Sequence, residues 1–229
     1  MILLKIAFRN ALRYKRRSLA VGLGVFISIF ALQFLDGLTE GFKKSFFKTL
    51  LDREGVVLIS PEGGIDPFEQ SLRSVADYRE IVFFIEQLKK GALIEPEVRF
   101  PAVASKDSFS LDLFVRGYEI NAQTLRELKK KIIKGREIRE WGEGMIGKEG
   151  ARLLHINGED TVILLTQDRY GGIGVKEVRI EGIFDSRARV ENEKTMFIDI
   201  RTAQEILSWS PDEVTRIKVN FREYNMAED

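Results

Sequence analysis

Residues 18–35, SLAVGLGVFISIFALQFL, hold no charged side chain for eighteen consecutive positions. A helix of that length rises about 27 Å, close to the roughly 30 Å hydrocarbon core of a bilayer. The seventeen residues before it carry Lys5, Arg9, Arg13, Lys15, Arg16 and Arg17 and no acid. Flanks rich in Lys and Arg stay on the cytoplasmic side. The pattern therefore predicts one crossing of a cell (inner) membrane, with the N-terminus inside and everything from about Asp36 extracytoplasmic. Two other segments have this general look. A cleaved signal peptide has a shorter apolar core and a small-x-small exit, whereas this run leaves through Leu32-Gln33-Phe34-Leu35-Asp36. A buried helix of a soluble protein can also be apolar on every face, but it does not call for six cations at one end.

Charge and composition narrow what lies beyond the helix. The chain of 229 residues totals +1, and its first seventeen residues supply +6, so the rest sums to −5. A folded nucleic-acid binder concentrates cations on its domain; here they concentrate at the membrane, and no nucleic-acid partner is expected. Without cysteine the external part has no disulfides and depends on an apolar core. The single histidine, His155, cannot build a His/Cys zinc site, so no metal and no cofactor are expected. Charged residues make up 31%, a composition that suits a thermophile.

The remaining chain reads as helices and short strands. Leu35, Leu38, Phe42, Phe46 and Leu50 recur at spacings of three and four among Lys43, Lys44, Lys48 and Asp52. This predicts that the membrane helix continues as an amphipathic stalk toward Gly55. Before the span, Leu3, Leu4, Ile6, Phe8 and Leu12 interleave with Lys5, Arg9 and Arg13, the pattern of a helix lying in the membrane interface. Within the span, Ala20, Gly24 and Ser28 recur every four residues and place small side chains on one face, where a second helix can pack.

Further along, strands are predicted at 56–60, 98–104, 109–116, 161–167, 178–184 and 196–200. The last strand alternates Ile217, Val219 and Phe221 inward with Arg216, Lys218 and Asn220 outward. One helix presents Ile81, Phe84, Ile85 and Leu88 inward and stops at Gly91. Another presents Leu125, Leu128 and Ile132, with Thr124-x-x-Glu127 as its capping box. A short helix spans 148–154, and Thr202-x-x-Glu205 caps a final one. Gly171, Gly172 and Gly174 read as a hairpin tip. The sum is an α+β protein: an N-terminal membrane helix with stalk, then a mixed-sheet domain.

No motif points to catalysis. Residues 142–147, GEGMIG, spell G-x-G-x-x-G and, with Lys148, G-x-x-x-x-G-K. A phosphate loop must leave an apolar strand and enter a helix. Here the preceding KGREIREW is charged, and Glu149 stands where a magnesium-binding Ser or Thr belongs. The stretch reads as a plain turn before a helix. Glu137, Glu140 and Glu143 read as a solvated face without the apolar pocket that would raise a carboxyl pKa, and His155 as a surface turn residue. No catalytic residues are expected, and an enzyme reading is not favoured.

The order of several stretches resembles a known family. LLKIAFRNALRYKRRS, the span and LDGLTEGF are followed by VRGYEINAQ, then KGREIREWGEGMIGKEGARLLHINGEDTVILL, VRIEGIFDS, MFIDIRTAQEIL and EVTRIKVNF. Together they resemble FtsX-like ABC transporter permeases with a MacB-like periplasmic core domain, over nearly all of residues 1–222. The resemblance implies a type VII permease of the lipoprotein-releasing or macrolide-exporter kind, working as a homo- or heterodimer with an ABC ATPase subunit that hydrolyses ATP elsewhere. It implies mechanotransmission: nucleotide-driven motion carried to the external domain, for export or release of a lipoprotein or other hydrophobic cargo. A chaperone or outer-membrane protein could dock there. The expected segments are 1–17 (interfacial helix), 18–54 (membrane helix and stalk) and 55–229 (external core), the last divided into Porter and Sabre subdomains, with 117–188 as the inserted one. The family has three further membrane helices, so this text corresponds to a fragment of a four-helix permease or to a truncated gene. The alternative is a single-pass anchored binding module for an extracytoplasmic protein.

Overall fold

The computed structural model describes residues 13–54, 57–61, 73–186 and 188–220, with side chains of the first stretch described as far as Phe46. The predicted interfacial helix up to Leu12, Gly63, Gly64, Pro67 and Phe221 lie outside the described residues. The chain divides after Arg53 into two units.

Among the described residues the first unit is one helix, α1 (Lys15–Glu54), of 40 residues, about 60 Å long at 1.5 Å per residue. Nothing interrupts it: it contains no proline, and its Ser28 and Thr39 hydroxyls donate back to the carbonyls of Gly24 and Leu35 at 2.9 and 2.8 Å. Such back-bonding is tolerated within a helix. The stalk and span are thus a single element.

The second unit is a mixed α+β domain, with elements β1 (Val57–Ile59), α2 (Tyr78–Leu88), β2 (Leu93–Lys106), β3 (Phe109–Tyr118), α3 (Gln123–Lys129), β4 (Ile132–Gly135), β5 (Glu143–Gly147), α4 (Lys148–Leu153), β6 (Asp160–Gln167), β7 (Ile173–Phe184), α5 (Arg189–Lys194), β8 (Thr195–Asp199), α6 (Ile200–Ile206) and β9 (Arg216–Asn220). Six strands close on themselves. β2 pairs with β3, β3 with β8, β8 with β5, β5 with β7, β7 with β6, and β6 returns to β2. This closed circuit covers many strand edges, with stretches such as 109–113 of β3 and 160–162 of β6 paired on one side only, and so reduces the aggregation hazard of an open sheet. Two long strands make it possible. β2 pairs with β9 over Leu93–Glu97 and with β6 over Val103–Ser105, while β7 pairs first with β6 and then with β5 and β4. Strand β1 adds outside β9.

The alternation of side chains decides what fills the ring. Val98, Phe100, Ala102 and Ala104 of β2 are buried, as are Leu113 and Val115 of β3, Val162 and Leu164 of β6, Val178 and Ile180 of β7, and Met196 and Ile198 of β8; they form one core. Helix α6 adds Ala203 and Ile206 to it. It comes close because two strand positions lack a side chain. A Cβ on Gly117 would fall 2.5 Å from the Ala203 Cβ, and one on Gly174 would fall 1.9 Å from the Ile206 carbonyl oxygen. A second cluster, Tyr118, Leu125, Leu128, Ile138, Met145, Phe184 and Phe197, forms where α3 lies on the outer face of the strands.

Several local expectations are corrected. Residues 143–147 are not a turn but the wholly buried strand β5, although the predicted helix does follow at Lys148. Ile132 belongs to β4 rather than to the preceding helix. Thr124-x-x-Glu127 is not a capping box: Ala122 is the cap residue of α3 and makes no side-chain cap bond. Helix α6 is capped by Asp199, which accepts the Thr202 N–H at 2.9 Å, so Thr202 lies inside the helix. Phe84 and Leu88 of α2 are exposed, and only Ile81, Val82 and Ile85 pack against the core. Met196–Ile200 ends as a strand at Asp199, with Ile200 opening α6.

Candidate functional site

Two features have functional weight: the apolar helix, and a pair of ion networks inside the domain. In α1 every described side chain is exposed, and the large apolar ones range from 51% at Phe46 to 70% at Phe42. Over Lys15–Phe46 the helix is long and apolar enough to cross a membrane. Arg13, Lys15, Arg16 and Arg17 are exposed at its start, while Lys5 and Arg9 lie outside the described residues. Cations at a helix N-terminus oppose the helix dipole, so their placement is not explained by helix stability.

Ala20, Gly24 and Ser28 share one face of α1, and a Cβ on Gly24 would meet nothing within 4 Å. Phe26, Phe30 and Phe34 stack in sequence, with ring centroids 6.3 Å apart at each step. Positions two apart on a helix differ by about 200°, so the small residues and the phenylalanine ladder occupy opposite faces.

The first ion network lies on the outer face of β2, β3 and β9 beside α3. Glu97 of β2 accepts Nε of Arg116 (β3) at 2.6 Å and Nε of Arg216 (β9) at 2.7 Å. One carboxylate thereby ties three strands. The Tyr118 hydroxyl accepts from Arg116 and, at 2.9 Å, from the Lys218 ammonium. Glu95 accepts the N–H and hydroxyl of Thr124 at 2.8 and 2.9 Å, which seats the first turn of α3. Burial alone would raise the Glu97 pKa, but Arg116, Arg216 and Lys218 outweigh it and hold the carboxyl well below its usual range. Burial pushes Lys218 down and Tyr118 well up. Arg216 and Lys218, predicted to face water, are buried.

The second network centres on Glu143. Its fully buried carboxylate accepts from Arg136 Nη1 and Nη2 at 2.9 and 2.6 Å, from Arg179 Nη2 at 2.7 Å, and from the N–H groups of Arg139 and Glu140 at 2.8 and 3.2 Å. Against the upward push of burial, these donors hold its pKa at about 2. Glu181 completes the set through Arg179 and Arg136. The solvated carboxylate expected from the sequence is thus the anchor of the 136–142 loop. Glu140 is exposed, and Glu137 pairs with Lys129 at 2.7 Å. The Gly142 N–H donates to Asp199 and Thr202, both at 3.0 Å, so the glycine-rich stretch spends its first amide inside the protein.

Both networks draw on internal partners and present no nucleophile to solvent; they are joints. His155 is exposed at a positive φ of 53° with its ring 4.2 Å from that of Phe109. Among the described residues no group of three His, Cys, Asp or Glu side chains is placed to hold a metal ion. The first network escaped sequence reasoning because it draws its members from strands far apart in the chain, and the second because Glu143 meets Arg179 and Glu181 only through the pairing of β5 with β7. The one available signal was the run of alternating cations in Arg216-Ile217-Lys218-Val219, where a charge on every second strand position calls for a covering face.

No family model and no curated protein sequence matches the chain. Solved structures do match its fold. One is the extracellular domain of the noncanonic ABC-type transporter YknZ from Gram-positive bacteria, with a TM-score of 0.50 at 14% identity over 66% of this chain and 75% of that one. Another is the periplasmic region of MacB from Actinobacillus actinomycetemcomitans, with a TM-score of 0.51 at 11% identity over 73% of this chain and 74% of that one. The domain that follows the apolar N-terminal helix therefore shares the fold of the extracellular domain of YknZ and the periplasmic region of MacB.

Proposed function

We propose that the chain is the N-terminal part of an ABC transporter permease, and that it carries ATP-driven motion across a cell membrane to an extracytoplasmic domain. The observation that carries this reading is the join in sequence between an unbroken helix of 40 residues and a domain with the fold of the YknZ and MacB external regions. A crossing uses about 30 Å of helix, so roughly half of α1 extends past the bilayer. A stiff element of that kind can pass on displacement without absorbing it. The Glu97 network suits the receiving end: it ties β9 and β2, and β9 pairs with β1, the first strand after α1.

In this reading Lys5, Arg9, Arg13, Lys15, Arg16 and Arg17 hold the N-terminus in the cytoplasm. Ala20, Gly24 and Ser28 face another permease helix, with the phenylalanine ladder toward lipid. Residues 117–188 are the inserted stretch in this reading: they leave at the end of β3 and return before its partner β8, and their strands β5, β6 and β7 complete the ring with β2, β3 and β8. ATP is hydrolysed by a separate ATPase subunit, the permease works as a homo- or heterodimer, and the cargo is a lipoprotein or another hydrophobic molecule. Purification of the full-length protein from its native membranes in mild detergent tests the proposal. Stoichiometric recovery of an ABC ATPase supports it. Recovery of an extracytoplasmic partner with no ATPase identifies an anchored binding module instead.

A further inference from the structure

The outer face of the barrel carries an apolar strip. Register pairs Val175 of β7 with Leu165 of β6, and Leu165 with Val103 of β2, so these three share a face. Ile173 and Ile163 lie one alternation either side of that row, and Phe114 adjoins it on β3, where Pro101 is its partner. Outward positions of a barrel in water are ordinarily polar. Here Ile173 is 76% exposed, Val175 55%, Ile163 41% and Val103 37%. An open groove of about 400 Å³ is lined by Val103, Leu165 and Phe114 of the strip together with Asp112 and Lys194, while Ile163, Ile173 and Val175 lie outside its lining.

The strip is held firmly. Asp168 accepts the N–H groups of Tyr170 and Gly172 at 2.9 and 2.7 Å, which locks the β6–β7 turn. Arg169 pairs with Glu213 and donates its N–H to the Leu207 carbonyl at 3.1 Å. The apolar side chains are therefore presented on a rigid frame. Most charges near the ends of these strands are engaged, as Lys106 is with Asp160 at 2.9 Å. Asp112 and Lys194 have no such partner among the described residues.

We propose that this groove docks an extended segment of another protein, with apolar side chains on the strip, a carboxylate toward Lys194 and a cation toward Asp112. Three observations favour that occupant. The exposed fractions correspond to an apolar patch on the order of 500 Å², in the range of the largest patch on a typical monomer, which is often functional. The groove is also open, whereas sites for small ligands enclose most of the ligand surface; an acyl chain lying here would stay largely in water, while a polypeptide brings its own cover. Finally, one free anion and one free cation on the lining set the polarity of the segment.

Photocrosslinking of the full chain in its native membranes tests this, independently of whether an ATPase drives the protein. The photoreactive p-benzoylphenylalanine replaces Leu165, and a second protein carries it at Glu86 on α2 as the control. The expected result is an adduct from position 165, at least five-fold above the control, with one polypeptide of different sequence. Mass spectrometry should map it to an apolar segment containing an acidic residue. Val103→Asp should reduce that adduct at least five-fold. So should Lys194→Glu, which alters only an exposed charge and leaves the melting temperature unchanged. Adducts with a second copy or with lipid, a segment without an acid, a yield equal to the control, or a yield that Lys194→Glu leaves unchanged would each overturn the proposal.

Discussion

Helix α1 and the barrel domain dispose of their side chains in opposite ways. The helix leaves Phe26, Phe30, Phe34 and their neighbours uncovered, whereas the domain hides its aliphatic residues and also Glu97, Glu143, Arg216 and Lys218. Leaving a Leu, Ile or Phe in water forgoes about 1.5–3 kcal/mol per side chain, so a helix with a dozen of them is built for a different solvent. The domain meets the reverse problem, and solves it by giving each buried ion several donors or acceptors. Each region is consistent only with its own surroundings.

Substitutions that transplant one region's chemistry into the other break this contrast most severely. Val25→Asp with Ile29→Asp places two carboxylates at mid-helix, where each costs about 2.5–3.5 kcal/mol of insertion free energy. The double variant is expected to leave the membrane fraction on alkaline extraction, while the wild type stays in the pellet. Glu97→Ala removes the one carboxylate that Arg116 and Arg216 share and strands buried cations, at a cost of about 3–5 kcal/mol. Thermal unfolding followed by near-UV circular dichroism checks it. Replacing Glu97, Arg116 and Arg216 together by Leu and two Met should restore much of that loss, because well-packed apolar groups can substitute for a buried ion set.

Acid sharpens the contrast from the other side. Glu143 is held at about 2 in the folded domain, from an ordinary value of 4.5. Its stabilising contribution is therefore complete above about 4.5 and declines as pH falls toward 2. Unfolding midpoints taken from pH 6 to pH 2 are expected to drop for the wild type. For Glu143→Gln they should start lower and fall less over the same window. The smallest effect concerns the face opposite the phenylalanine ladder: Gly24→Leu should lower co-purification with partner membrane helices several-fold without changing membrane insertion. Unchanged recovery removes Ala20, Gly24 and Ser28 as a packing face.

What could be read from the sequence follows the range of the interactions involved. The eighteen uncharged residues and their basic flank are local, and α1 is found where they put it. Strands β2, β3 and β6 were legible because Phe109-Ser110-Leu111-Asp112-Leu113 and its like alternate within a single strand. Strand β5 was not, because Gly144 and Gly147 give no side-chain pattern; its identity comes from β7 and β8 on either side. The outward assignment of Arg216 and Lys218 failed for a related reason. A period of two tells which residues share a face, but only the packing of α3 decides that the charged face is covered. Phe84 and Leu88 show the converse, since a helical spacing names a face without guaranteeing that anything packs on it.

The central claim is that α1 crosses a bilayer once, with the barrel domain on the far side from Tyr14. The chain contains no cysteine, so single-cysteine variants report cleanly on topology. Tyr14→Cys and Glu86→Cys, each in the full chain, would be treated in intact spheroplasts with a membrane-impermeant maleimide. The account predicts that the cysteine at position 86 is labelled at once and the one at position 14 only after permeabilisation. Labelling of position 86 that also waits for permeabilisation would place the domain in the cytosol and contradict it.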